Sequence, residues 1–375
     1  MNYQLKTVLA CAVLSLVALQ SCKDDDDTPE KDGLAYTVPS SYSEFTNVDY
    51  SGQTQRISQL LEMKTYLSTA NTLGTPLSEE RLIAMFQNDK DVAQWIGAYD
   101  DSKQIRDKTF ANVQADFDEL LVSIAEDSKS DVAHSQGTAG VLAYDDNSKA
   151  YLLNENGVEE LQIFEKGLLG AFLAYQINEV YLGTDKMSAD NEVVVDGEGT
   201  AMEHHWDEAF GYFGVPKTFP ATTDNLAFWG VYSDRRDVLL GCNAKLMNAF
   251  LKGRAAISNK DLATRDQAIL EIKKELERVS AATTINYINS ALRNPEDIAR
   301  KGHALGEAFG FAYALQFNSD KVITDVQFDE ILSLIGGGTK AFGGLDFYKV
   351  SIDDMQAVKD KLAAIYGMEN IKDQL

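Results

Sequence analysis

Apolar side chains return at three- and four-residue steps in one segment of this chain after another, and only six prolines interrupt its 375 residues. That spacing belongs to helices that bury one face, and it leaves little for a sheet to use. In residues 53–70 the stripe runs Ile57, Leu60, Leu61 and Leu67, with Lys64 in step; in 109–124 it runs Phe110, Val113, Phe117, Leu120, Leu121 and Ile124. The pattern predicts further helices over 81–86, 158–182, 200–213, 238–257, 265–279, 295–317, 325–334 and 353–366. Ser78-Glu79-Glu80 and Asn294-Pro295-Glu296-Asp297 have the composition of helix starts, a capping side chain followed by acids in the first turn. Residues 191–199 and the Gly-rich 336–344 read as loops, and 214–232 as a long ordered connection. The expected fold is all-α, one or more helical bundles of roughly eight to eleven helices.

The first residues read as an address rather than as fold. Lys6 precedes an apolar stretch from Val8 to Leu19, the layout of a secretory signal, too short for a mature membrane span of about 20 apolar residues. Leu19-Gln20-Ser21-Cys22 resembles the lipobox of bacterial lipoproteins, which implies cleavage before Cys22 and a lipid on its thiol. Lys23 and the acidic run Asp24 to Asp27 lead into a segment without apolar residues, expected to be a solvated tether. A Lys followed by acids beside that Cys also resembles the surface-export signal of Bacteroidetes lipoproteins. The expected organisation is a signal peptide over 1–21, a lipidated Cys and tether over 22–34, and a helical domain over 35–375. The expected location is the outer membrane, on its surface or periplasmic face.

A net charge of −24 argues against a nucleic-acid partner, since phosphate binding needs clustered Lys and Arg and the sequence clusters none. With Cys11 in the signal and Cys22 acylated, Cys242 is left without a disulfide partner, so stability must come from packing.

Three of the four histidines fall in two similar places. Residues 204–211 and 303–310 both read His-x-x-x-Glu-Ala-Phe-Gly, each followed by an aromatic residue, which suggests an internal pseudo-repeat. Residues four apart share a helix face, so His204 with Glu208 and His303 with Glu307 each set an imidazole beside a carboxylate. Two such helices facing one another would converge two nitrogens and two carboxylates, a set suited to iron or zinc, with His205 as a further ligand and Asp207 and Tyr212 as hydrogen-bonding supports. The alternative is that each pair only ties helices together. The stripe Gly302, Gly306 and Gly310 is explained by close approach of another helix. Lys252 and Arg254 are two cations that a site could draw on. The common zinc-protease, hydrolase and phosphate-loop signatures are missing, which favours binding over catalysis.

The run from His204 to Gly214, together with Phe45 to Thr54, resembles a domain of unknown function found in uncharacterised Bacteroidetes lipoproteins. That family is similar to the imelysin-like proteins, which implies helical bundles and a part in iron or haem acquisition beside a TonB-dependent receptor. Imelysins carry Gly-x-His-x-x-Glu; here Glu203-x-His205-x-x-Glu208 matches at His and Glu and not at Gly, whereas the repeat selects His204. The leading expectation is an envelope lipoprotein that binds iron or an iron-bearing ligand between helices and assists uptake. The alternatives are a metal-dependent peptidase of the imelysin type and an adhesion or nutrient-binding module without metal.

Overall fold

A computed structural model describes residues 34–375. The signal segment, Cys22 and the tether up to residue 33 lie outside the described residues. Val38–Leu375 forms one compact unit.

Its elements follow in chain order: α1 (Ser51–Leu67), α2 (Glu79–Gln87), α3 (Lys90–Ala93), α4 (Gln114–Asp127), β1 (Gly140–Ala143), β2 (Ala150–Leu153), α5 (Glu160–Leu168), α6 (Thr184–Met187), α7 (Ala201–Phe213), α8 (Trp229–Leu240), α9 (Cys242–Ser258), α10 (Leu262–Arg293), α11 (Ile298–Ala314), α12 (Asp325–Ile335) and α13 (Ile352–Tyr366). The fold is all-α, with β1 and β2 as one small antiparallel hairpin, Gly140 opposite Leu153. Among the described residues no helix is long and apolar enough to cross a membrane.

The longest helix, α10, forms the axis and packs against α9, α11, α13 and α8. It outruns the predicted 265–279 because Ser280, Thr283 and Thr284 continue it in the core: their hydroxyls donate to the carbonyls of Phe311, Val279 and Ser280. The predicted helix over 238–257 is instead two. Gly241, at φ +60, closes α8, and the Asp237 carboxylate accepts from the Asn243 backbone as α9 begins. The start expected at Asn294 falls at Asp297, whose side chain accepts from Arg300 N. Ser78 caps α2 as expected, accepting from Arg81 N.

Every residue of α5 is buried, Glu160, Gln162, Glu165 and Lys166 included. Beyond Leu168 the same helix loosens into two π-helical stretches, Leu169–Ala174 and Gln176–Tyr181. Wide turns of this kind are uncommon and concentrate near functional sites. The first half of this long element packs against α11 and the second half against α7, so it passes both copies of the His-Glu motif.

The glycine stripe of α11 is where α5 comes close. A Cβ on Gly310 would stand 2.2 Å from Lys166 Cβ, one on Gly306 3.0 Å from Gln162 Cβ, and one on Gly302 2.5 Å from the Gly157 carbonyl. Gly211 does the same on α7, where a Cβ would meet Tyr50 Cβ at 2.6 Å and Gln53 Cβ at 3.0 Å.

Candidate functional site

Helix α7 opens with a capping box, Thr200 and Glu203 bonding each other's backbone, and ends at Gly214 in the left-handed conformation. This fixes which way its side chains point. His204, His205 and Glu208 lie together along one side. The His205 Nδ1 is 3.0 Å from Glu208 Oε2, and the His204 Nε2 is 3.9 Å from the same oxygen. Gln53 of α1 donates to Glu208 Oε1 at 2.8 Å and to the Tyr181 hydroxyl at 3.3 Å, so the cluster is closed by α1 and by the π-helical stretch. Burial raises the Glu208 carboxyl, but the bonds from His205 and Gln53 and the charges of both histidines outweigh it and hold it below the usual range.

The buried Nδ1 of His204 has no hydrogen-bond partner, and the Tyr212 hydroxyl is buried close to Arg56. Buried groups of this kind are ordinarily satisfied, and exceptions concentrate where something else binds.

The fold also gathers cations that are scattered in sequence. Burial lowers the Lys108 ammonium below its ordinary value, and Arg56, Lys186 and Lys103 depress it further while Glu208 opposes them. Lys108, Arg56, Lys103 and Lys186 thus form a local excess of positive charge, with Glu208 in reach of Lys108, in a chain of net charge −24.

Asp207, expected to support this cluster, points elsewhere. It is fully buried and accepts from the Tyr42 hydroxyl and, at 3.0 Å, from Arg254 Nε; Arg254 also pairs with Glu203. The Tyr42 ring stacks on Phe210 at 3.7 Å. At about 100° per helical residue Asp207 lies about 200° around the helix from His205, so its side chain turns away from that side. Asp207, Tyr42 and Arg254 clasp the N-terminal segment and α9 to α7. Arg254 is thus spent inside the fold.

On α11 the second copy has different company. His303 Nδ1 lies 2.6 Å from Glu159 Oε2 and its Nε2 3.3 Å from Glu307 Oε2, with Tyr151 stacked on the ring at 4.2 Å. Glu307 leads to Lys166 at 3.5 Å, Lys166 to Glu165 at 2.8 Å, and Glu165 to Lys64 at 2.8 Å. Burial would lower the His303 imidazolium, but the charge of Glu159 and its hydrogen bond override this and raise it.

The two pairs therefore do not converge. His204, His205 and Glu208 stand with α1 and the π-helical stretch, whereas His303 and Glu307 stand with α5. Among the described residues no group of three or more His, Cys, Asp or Glu side chains is placed to hold a metal ion. The four-ligand centre expected from the repeat fails because α7 and α11 pack against different stretches of the long α5 element instead of facing each other.

A model of the family described as Domain of unknown function (DUF4856) matches residues 40–369. The chain belongs to the DUF4856 family. No curated protein and no solved structure matches it. The DUF4856 match takes in both signature segments, and in the structure these segments meet. Tyr50 packs edge-on against Phe210, and Gln53 bonds Glu208. Gln53, Tyr181 and Lys108 went unread as site residues, and only Gln53 left a trace, by lying within the signature segment 45–54.

Proposed function

We propose that this DUF4856 protein is an envelope-anchored lipoprotein that binds an iron-bearing ligand at the α7 cluster and assists its uptake without catalysing a reaction. The observation that carries the reading is the company of Glu208. Two imidazoles stand against it, Lys108 is within its electrostatic reach with Arg56, Lys103 and Lys186 around Lys108 in turn, and His204 Nδ1 is unpartnered. A bare metal ion would meet repulsion there. An anionic chelate, which carries iron inside carboxylate or catecholate oxygens, would meet attraction and donors. The resemblance to imelysin-like proteins supports the same reading, as does the lipobox at Cys22, which would keep such a protein at the membrane beside a TonB-dependent receptor.

The test is titration of the protein with ferric citrate, followed by Trp fluorescence and by iron content after desalting. Saturable binding that falls by about tenfold or more in a Lys108→Ala/His204→Ala variant is the expected result. Ferric citrate bound no better by wild type than by the variant would sink the proposal.

A further inference from the structure

A cavity of about 490 Å³ opens elsewhere in the molecule, between α4, the end of α11 and the turn Phe342–Gly344. Its volume falls within the range of small-molecule sites. Asp116, Glu119 and Ser123 present one face of α4 to it, and Glu160, the first residue of α5, lies at its base. Glu160 is 7% exposed. Its Oε1 accepts from Ser123 at 3.0 Å and from Asn154 at 3.1 Å, while its buried Oε2 has no partner. Opposite stand the rings of Tyr313 and Phe342, with centroids 5.0 Å apart. Lys340 also lines the cavity but is paired with Asp329.

We propose that this cavity binds a small organic ammonium ion, a primary amine whose charged head reaches Glu160 and whose carbon skeleton lies against Phe342 and Tyr313. The carboxylates of Asp116 and Glu119 and the buried carboxyl of Glu160 face a cation already neutralised by another acid, so the site is short of positive charge. The aromatic faces add cation–π attraction and an apolar wall. A metal ion fits less well, since no metal-holding group occurs among the described residues. A neutral sugar would leave the carboxylates uncompensated.

The protonation of Glu160 gives the binding a signature. Burial, with the charges of Asp127 on α4 and Glu155 before α5 adding to it, pushes this carboxyl up to about 8 against the hydrogen bonds of Ser123 and Asn154. Asp116, Glu119 and Lys340 also line the cavity, and Lys340 is tied to Asp329. The empty site therefore holds a proton at neutral pH. An arriving ammonium favours the carboxylate and expels that proton.

Isothermal titration of the full chain with butylamine near neutral pH, in two buffers of different ionisation heat, tests this. Saturable binding with proton release is expected. Glu160→Gln should weaken it by about tenfold or more and abolish the release. The exposed Asp116→Asn/Glu119→Gln pair should weaken it by a smaller factor, while His204→Ala leaves it unchanged, so this site and the α7 cluster stand or fall separately. Thermal melts check folding, and if Glu160→Gln does not fold, the exposed pair decides: undiminished affinity there overturns the proposal. Absence of saturable butylamine binding, or binding of glucose without proton release, overturns it as well.

Discussion

The two copies of His-x-x-x-Glu-Ala-Phe-Gly share the same five residues and are opposite in how they are used. Their histidine side chains are about equally exposed, 23% for His204 and 21% for His303, so access to water does not separate them. What separates them is hydrogen-bonding capacity. Both nitrogens of His303 are engaged, its ring is stacked on Tyr151, and its carboxylate partner continues into Lys166, Glu165 and Lys64. With His303 charged, three cations face three carboxylates, and the network is neutral. His204 keeps Nδ1 free and Glu208 at arm's length. One copy is a brace between α11 and α5, and the other has capacity left for a ligand.

The sharpest way to break this contrast is to remove one member of the brace. Lys166 is 2% exposed between two carboxylates, and Lys166→Met takes a buried cation from both, leaving Glu165 with Lys64 alone and Glu307 with His303 alone. Breaking a buried pair by deleting one partner costs about 3–5 kcal/mol, so urea unfolding should show a loss of that size. The counterpart on the α7 side, Gln53→Leu, removes one neutral donor from Glu208 and should cost only about 1–3 kcal/mol. Equal losses would mean that both copies are braces.

Next in size is the steric test. Gly310→Ala drives a methyl into Lys166 Cβ and toward the backbone of α5, which is fixed in the core, whereas Gly211→Ala meets the side chains of Tyr50 and Gln53 near the start of α1. Overpacking costs typically about 1–3 kcal/mol, and the larger value belongs to Gly310 because helix backbone cannot step aside. Paired thermal melts rank them; a larger drop for Gly211→Ala would put the rigid contact on the wrong side.

Much of the fold was legible, and the failures have a common cause. Periodicity located the helices because most bury only one face. It located α5 and its π-helical continuation within 158–182 but could not show that Glu159, Glu165 and Lys166 are buried, since charged residues are rarely interior unless paired and their partners come from α11 and α1. The same blindness hid the cations around Lys108: Arg56, Lys103 and Lys186 are dispersed along the chain and act on it, as Glu208 does, only in the fold. Gly241 was passed over because a single glycine inside a periodic run is often tolerated, whereas here its positive φ ends one helix and starts another.

A smaller effect follows from His303. Its imidazolium is raised in the folded state by Glu159, so the stabilisation it brings is complete below the ordinary histidine value of 6.5 and is lost as pH climbs through the raised one. Wild type should therefore exceed His303→Gln in stability at mildly acidic pH and converge on it as the solution turns alkaline. Urea unfolding across that span measures the gap, and a gap that widens with rising pH has the wrong sign for a charged brace.

The smallest effect on stability is expected where the largest effect on binding is. His204→Ala removes a ring with one unpartnered nitrogen and a carboxylate 3.9 Å from the other, so little is lost on folding, about 0.5 kcal/mol. Glu208 stays satisfied through His205 and Gln53. A residue that costs little to remove yet sits half-buried with an unpartnered nitrogen is held there by something other than stability, and the ferric citrate titration shows whether that is binding. His303→Ala runs the opposite way, losing stability and leaving chelate binding intact. If instead His204→Ala destabilises as much as His303→Ala does, the α7 pair is a second brace, and the ligand site must be sought away from both copies of the motif.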